Sequence, residues 1–373
     1  MIGSAILYLS CFASTIGLFR LYDNRWRNDK NKIKRYFCFV LILLPCSILS
    51  GLRFEVGVDY VNYRTFYQYA ASLDFFSYLR AYSEGRYELE PLYQILNHIC
   101  FIFKAGYQWV LFFSTFITLF FFFKAILKYR QKLNIFFASF IYLMMLFQPS
   151  LNIVRQEMAV TIVFYAFTKL LDKKYIYYIC WVIIGMGFHT SAIIGIPIMI
   201  LYMIYYSKAK DIYKLLLIAL VLGFPLYVNL ILESGIFDFL ITFFNYEYTM
   251  STQNQGFGYL VFFLPLLIPI FLLYKGGKDD KRVLFELTFL FVISEMIFRV
   301  LTYSYVWIGR LEDYFTIYQC ILVPIMISLL KRRSNKWIIY FYYSIYYFSM
   351  YIYTFYIVNL HDTYPYTSIL KGE

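Results

Sequence analysis

Residues 107–126 read YQWVLFFSTFITLFFFFKAI, twenty consecutive positions with a single charge, Lys124, close to the end. At a rise of about 1.5 Å per residue a helix of that length covers about 30 Å, the thickness of a bilayer's hydrocarbon core. The stretch is apolar on all sides, with no polar face for water. Comparable runs lie on both sides of it, and the whole 373-residue chain is 61% hydrophobic and only 15% charged. A soluble domain averages about 45–50% apolar and about 25% charged residues. This composition excludes an ordinary soluble enzyme, a disordered chain and a disulfide scaffold. Six cysteines fall almost entirely within apolar runs and form no CxxC or Cys/His pattern, so they read as small buried hydrophobes.

Working outward from 107–126, about twelve spans can be placed: 2–21, 36–52, 107–126, 134–150, 153–171, 175–189, 190–206, 215–232, 259–274, 283–302, 307–330 and 337–357. The expected fold is all-α, a single transmembrane helical bundle over 1–373. The run from Ile2 to Phe19 has no basic stretch before it and reads as a retained span. Segment 91–104 (PLYQILNHICFIFK) is short and polar for a span, and a surface or re-entrant half-helix suits it better; a true span there would change the count.

Orientation follows from the basic residues. The connections 20–35, 124–132, 169–174, 207–214, 275–282 and 331–336 hold 25 of the 34 Lys and Arg. Positive loops stay inside, so both termini are expected outside the cell. The basic balance is then a topological signal, and no nucleic acid is expected. The outer segments 52–106 and 233–258 are the long ones, and the second carries no Lys or Arg. There is no GxxxxGK[ST] loop for ATP and no HExxH or HxxxH spacing for a metal, so no cofactor and no metal are expected.

Polar residues inside an apolar chain require a partner or a task, and here they gather on the outer side. Gly51-Leu52-Arg53-Phe54-Glu55-Val56-Gly57-Val58-Asp59-Tyr60-Val61-Asn62-Tyr63 makes a short bend after the second span. It fits either an Arg53–Asp59 ion pair or an anion site with Asp59 as a base. Asn152-Ile153-Val154-Arg155-Gln156-Glu157 opens the fifth span, where a helix N-terminus and a guanidinium together suit phosphate; interfacial anchoring of Arg155 is the alternative. His189-Thr190-Ser191-Ala192 caps a helical hairpin, with His189 either structural or catalytic. Glu295, Arg299, Arg310 and Asp313 can pair along their own helices, and Arg310 with Tyr314 can line a cavity. Tyr246, Tyr248, Tyr259 and the stretch His361–Tyr366 add aromatics among amides and hydroxyls, a composition that suits carbohydrate.

LRFEVGVDYVNY, NIVRQEMAVTIVFYAF, FHTSAIIGI and a late RLEDYF, in that order, resemble the EpsG family of bacterial exopolysaccharide proteins, treated as Wzy-like oligosaccharide repeat-unit polymerases. Arg53, Gly57, Asp59, Tyr60, Tyr63, Arg155, Gln156, His189, Ser191 and Arg310 carry the resemblance. It implies a GT-C-like membrane glycosyltransferase of the bacterial cytoplasmic membrane, acting at the outer face on undecaprenyl-pyrophosphate-linked donor and acceptor. Membrane lipid, a chain-length regulator and a flippase are the further partners. Departing pyrophosphate charge suits a guanidinium clamp, with Arg155 and Arg310 first and Arg53 third. Asp59 or His189 would take the acceptor's proton. Tyr60, Tyr63, Gln156, Ser191, Arg299 and Tyr314 complete the substrate-facing set. A flippase and a polysaccharide ligase using the same donor are the competing readings.

Overall fold

A computed structural model describes residues 1–84, 89–213, 261–273, 280–302 and 309–371, together with positions 215, 216, 218, 219 and 223. Among these residues the fold is helical and no strand forms. The eighth expected span and the outer segment 233–258 lie almost wholly outside the described residues, and Arg86, Tyr246, Tyr248 and Tyr259 lie outside them too.

The helices are α1 (Ile2–Leu21), α2 (Lys32–Leu52), α3 (Tyr60–Ser72), α4 (Phe75–Ser83), α5 (Pro91–Ile102), α6 (Tyr107–Ile126), α7 (Ile135–Met145), α8 (Phe147–Asn152), α9 (Val154–Leu171), α10 (Tyr175–Met186) and α11 (Gly195–Tyr206). They continue with α12 (Leu264–Leu273), α13 (Asp280–Leu301), α14 (Gly309–Thr316), α15 (Gln319–Leu329) and α16 (Arg333–Tyr351). By length and composition, Ile2–Trp26, Lys32–Leu52 and Tyr107–Tyr129 can each cross a membrane, and shorter apolar helices surround them. The molecule is a helical membrane protein.

Aromatic packing holds the centre. Phe122 of α6 stacks on Tyr142 of α7 at 3.9 Å and on Phe164 of α9 at 6.0 Å, while Tyr318 contacts Phe164, Phe167 and Phe291. Apolar lipid gives helices no hydrophobic reason to associate, so close fit must supply it. Gly51 shows how close: a β-carbon there would stand 2.9 Å from that of Phe112.

Several expected spans turn out to be broken, and the breaks matter more than the spans. The run 134–150 divides at Leu146 into α7 and α8, because Pro149 has no N–H to offer the Met145 carbonyl. Ile153, at φ −88° and ψ 56°, then separates α8 from α9. The run 307–330 divides into α14 and α15. Between α10 and α11 the chain turns through His189 into a 3₁₀ turn, Thr190–Ile194. α5 is twelve residues long, about 18 Å and too short to cross alone, in keeping with a half-helix.

The segment after α2 is clamped by the chain's last residues. Gly57 N–H donates to the Asp362 carbonyl at 2.9 Å, Phe54 N–H to the Thr367 carbonyl at 3.0 Å, and Tyr366 Oη to the Leu49 carbonyl at 2.9 Å. Gly57 itself has φ +97°, with room for a β-carbon only at 3.0 Å from the Leu151 carbonyl oxygen. Replacing it by Ala therefore combines a disfavoured backbone with a collision, and should cost about 1–3 kcal/mol. Thermal unfolding in detergent checks this: Gly57→Ala lowers the midpoint, whereas Gly3→Ala, with nothing within 4 Å, leaves it in place.

Candidate functional site

Three elements meet at the α10–α11 turn. Glu90, just before Pro91 of α5, forms an ion pair with Arg155 at the start of α9, and its other oxygen accepts the Thr190 N–H at 3.2 Å. Leu92 N–H donates to the Gly187 carbonyl at 2.8 Å, which docks the half-helix on the turn. The Arg155 guanidinium also sits 5.2 Å from the centroid of the Phe66 ring, a favourable cation–π placement. Burial pushes the Glu90 carboxyl above its ordinary range, and the charge of Arg155 pulls it back.

His189 lies at the centre of this turn. Its Nδ1 accepts the Ser191 N–H at 3.2 Å and is 2.6 Å from Ser191 Oγ, which in turn is 2.9 Å from Tyr314 Oη. A backbone N–H can only donate, so Nδ1 is an acceptor and the neutral ring carries its proton on Nε2. Burial, then Arg155, then Arg310 hold the imidazole well below its ordinary pKa. A neutral ring with Nδ1 occupied presents a donor at Nε2. In this tautomer its free nitrogen gives a hydrogen bond, which suits a donor's part better than a base's.

Gln156, one residue after Arg155, donates from Nε2 to the Arg310 carbonyl at 2.6 Å and to Asp313 Oδ2 at 3.2 Å. It thereby fixes the start of α14 against the start of α9. Arg310 is exposed, Arg155 keeps 14% of its side chain exposed, and Arg53 has none exposed. That grading separates the three expected clamp residues. Arg53 donates from Nη1 to the Leu151 carbonyl and meets no carboxylate among the described residues; Tyr60 Oη donates to the Arg53 carbonyl at 3.3 Å. Arg53 stands deeper than the other two, and its burial suits a positioning part.

A second group forms around Asp59. Its N–H donates to Asn152 Oδ1 at 2.9 Å, its carboxylate accepts from Asn62 at 3.2 Å, and Asn152 Nδ2 is 3.1 Å from His361 Nδ1. Burial lowers His361 to about 4. The expected alternative of an Arg53–Asp59 ion pair does not form: each group has other partners. Tyr60 pairs with Tyr107 through their hydroxyls, and Tyr63 packs edge-on against Tyr93 at 6.0 Å. Tyr63 joins the two groups: its N–H donates to the Asp59 carbonyl at 3.1 Å, and its ring meets Tyr93 of α5, the helix that Glu90 precedes.

Next to Asn152 and Asp313 a cleft is lined by Glu295, Arg299, Glu312, Asp313, Gln319 and His361, with Phe262, Tyr346 and Phe355 among its walls. Arg299 pairs with Glu312 at 2.7 Å, and Glu295 accepts from Thr316 at 2.9 Å and from Gln319 at 2.8 Å. Glu157 is fully buried beside Asp313.

A family model described as the EpsG family matches residues 35–368, and so takes in every residue of both groups and the cleft. The chain belongs to the EpsG family. No curated protein and no solved structure matches it. Membership in the EpsG family points to a polysaccharide polymerase-like role for a membrane protein.

The structure brings Arg155, Gln156, His189, Ser191, Arg310 and Tyr314 into one place, and sets Asp59, Tyr60 and Tyr63 beside it. Arg299 belongs to the cleft. Glu90, Asn152 and His361 were not assigned roles from the sequence. Only Glu90 leaves a local trace, an acid directly before the proline that starts a half-helix.

The charges on His189 give a direct check. Like charge disfavours imidazolium, so removing either arginine raises the imidazole pKa. In ¹⁵N-histidine spectra of the purified protein, His189 stays neutral on acidification through about pH 6.5, the ordinary histidine value. In Arg310→Gln its titration moves upward. An unshifted titration in that variant would remove Arg310 from the neighbourhood of the ring.

Proposed function

We propose that this EpsG protein is a membrane glycosyltransferase that polymerises oligosaccharide repeat units carried on undecaprenyl pyrophosphate, at the outer face of the cytoplasmic membrane. The observation that carries the reading is the meeting of Arg155, Arg310 and His189 around one turn: Glu90 joins Arg155 to the Thr190 N–H next to His189, and Gln156 bonds the Arg310 carbonyl. Two guanidinium groups and a neutral imidazole donor form an anion site, and pyrophosphate is the charge that grows as a glycosyl bond breaks.

In the reaction, a hydroxyl oxygen of the acceptor repeat unit attacks the anomeric carbon of the donor glycan. The bond from that carbon to the pyrophosphate oxygen breaks, and its electron pair leaves with undecaprenyl pyrophosphate. The attacking hydroxyl loses its proton to Asp59, the candidate base whose carboxylate remains half-open at the start of α3. Arg310, exposed, takes the outer phosphate; Arg155, oriented by Glu90, takes the inner one. Fixed donors aimed at developing charge stabilise it most in a dehydrated setting. Arg53 acts as a positioning residue through Leu151, while Tyr60, Tyr63, Gln156, Ser191 and Tyr314 hold the surrounding elements or the sugar.

A ligase would use the same donor and the same arginines, and differs only in its acceptor. A flippase requires polar groups along the whole path across the membrane, whereas the interacting groups described here crowd around the ends of α2, α9 and the α10–α11 turn. Both termini outside and about twelve spans belong to the same proposal, supported by the basic residues of the opposite loops.

The test is a ladder. Purified protein supplied with a defined lipid-linked repeat unit should give products spaced by one unit, without added metal. Arg155→Ala and Arg310→Ala should each reduce the polymerisation rate about 10²–10³-fold. Movement of the repeat unit across liposomes with no ladder would overturn the polymerase in favour of a carrier.

A further inference from the structure

At the end of α2 away from Arg53, three membrane-length helical runs come together: Ile2–Trp26, which continues α1, Lys32–Leu52, which is α2, and Tyr107–Tyr129, which continues α6. Between them opens a second cavity, lined by Tyr22, Arg27, Arg35, Tyr36, Phe39 and Lys124. Its cations are unevenly neutralised. Arg27 pairs with Asp23 at 3.1 Å, but that carboxylate is shared with Arg130 at 2.5 Å. Among the described residues neither Arg35 nor Lys124 has a carboxylate within ion-pair distance; the acid nearest in sequence, Asp29, pairs with Lys34 at 3.0 Å.

The two uncompensated cations rest on aromatic faces instead. The Lys124 ammonium is 5.9 Å from the centroid of Tyr36 and 5.8 Å from those of Phe39 and Phe120, and the Arg35 guanidinium is 5.7 Å from that of Tyr36. Ring faces hold cations in place without cancelling their charge. Beside the cavity Ile33, Tyr36 and Phe37 are exposed, an apolar and aromatic rim at the depth where a helix meets the headgroup layer.

We propose that this cavity is a binding site for the phosphate of an anionic phospholipid headgroup. Arg35 and Lys124 contact the phosphate oxygens, and Arg27 supplies a third positive charge. The lipid's acyl chains lie along the exposed rim of α2. The site is separate from the groups around His189 and does not depend on the polymerase reading. A free phosphate ion has the same chemistry at the cavity but no use for the apolar rim, so the two sources can be told apart.

The full chain is purified and placed in nanodiscs of phosphatidylethanolamine with either none or a quarter of the lipid replaced by phosphatidylglycerol. Retained lipid is counted by native mass spectrometry, and affinity is measured by titrating phosphatidylglycerol into mixed micelles. The wild type should retain phosphatidylglycerol selectively and saturably. Arg35→Gln and Lys124→Gln should each weaken it about 5-fold, and together about 25-fold, while Lys124→Arg retains binding. Lys208→Gln with Lys210→Gln, in another basic connection, should leave it unchanged. Elution position and thermal midpoint of each variant confirm that it is folded. Equal retention of both lipids, undiminished binding in the double variant, or inorganic phosphate binding as tightly as the lipid would overturn the proposal.

Discussion

The constraint on which the site depends is a buried guanidinium that has no counter-charge among the described residues. Arg53 is wholly enclosed and donates to the Leu151 carbonyl, directly before the backbone departs from helix at Ile153. A carbonyl released by such a break inside an apolar chain must find a donor, since leaving it bare costs free energy. A guanidinium in the same surroundings needs acceptors. Each solves the other's problem, and the break is held open at one spot. Phenolic rings fill the remaining shell, Tyr60 through its bond to the Arg53 carbonyl and Tyr63 and Tyr93 through the field of the charge.

From that break the rest of the site follows. Because α9 begins afresh at Val154, Arg155 and Gln156 fall in its first turn, where backbone N–H groups have no partners within the helix. Arg155 is directed to Glu90 and Gln156 to the start of α14. A continuous helix from Ile135 to Leu171 would have placed the same two residues in mid-helix, facing neighbouring side chains. The breaks at Leu146, Ile153, Gly187–His189 and between α14 and α15 therefore belong together: irregular backbone in a membrane fold is found where it lines a protein interior or a cavity.

The class of fold was legible from runs such as 107–126, because burial in lipid demands apolar residues on every side and so marks each of them. A short helix after Pro91 was legible too, from its length and its polar residues. The breaks were less so. Pro149 gives a local reason for the one at Leu146, but nothing near Ile153 predicts its backbone angles. Pairings were hidden for a different reason. Glu90 and Arg155 are 65 positions apart and Asn152 and His361 are 209 apart, and a single polar contact leaves no period to read. The chemistry of the arginines could be guessed from residue type, but their order of burial could not. His189 illustrates the limit most sharply, since its role turns on which nitrogen the Ser191 N–H occupies.

The graded burial of the three arginines also separates the parts they would take in the proposed reaction. A charge stabilises a departing anion in proportion to its proximity and to the dryness of its surroundings, yet a fully enclosed cation cannot be approached and an exposed one is screened by water. Arg53 sits at the first limit and Arg310 at the second. Arg155 lies between, partly enclosed and already facing Glu90. That carboxylate, raised by burial, holds the guanidinium in place. In the proposed reaction an incoming phosphate would share Arg155 with Glu90 and meet Arg310 on the solvent side. The field at the turn then grows as water leaves, so electrostatic assistance increases with the filling of the site.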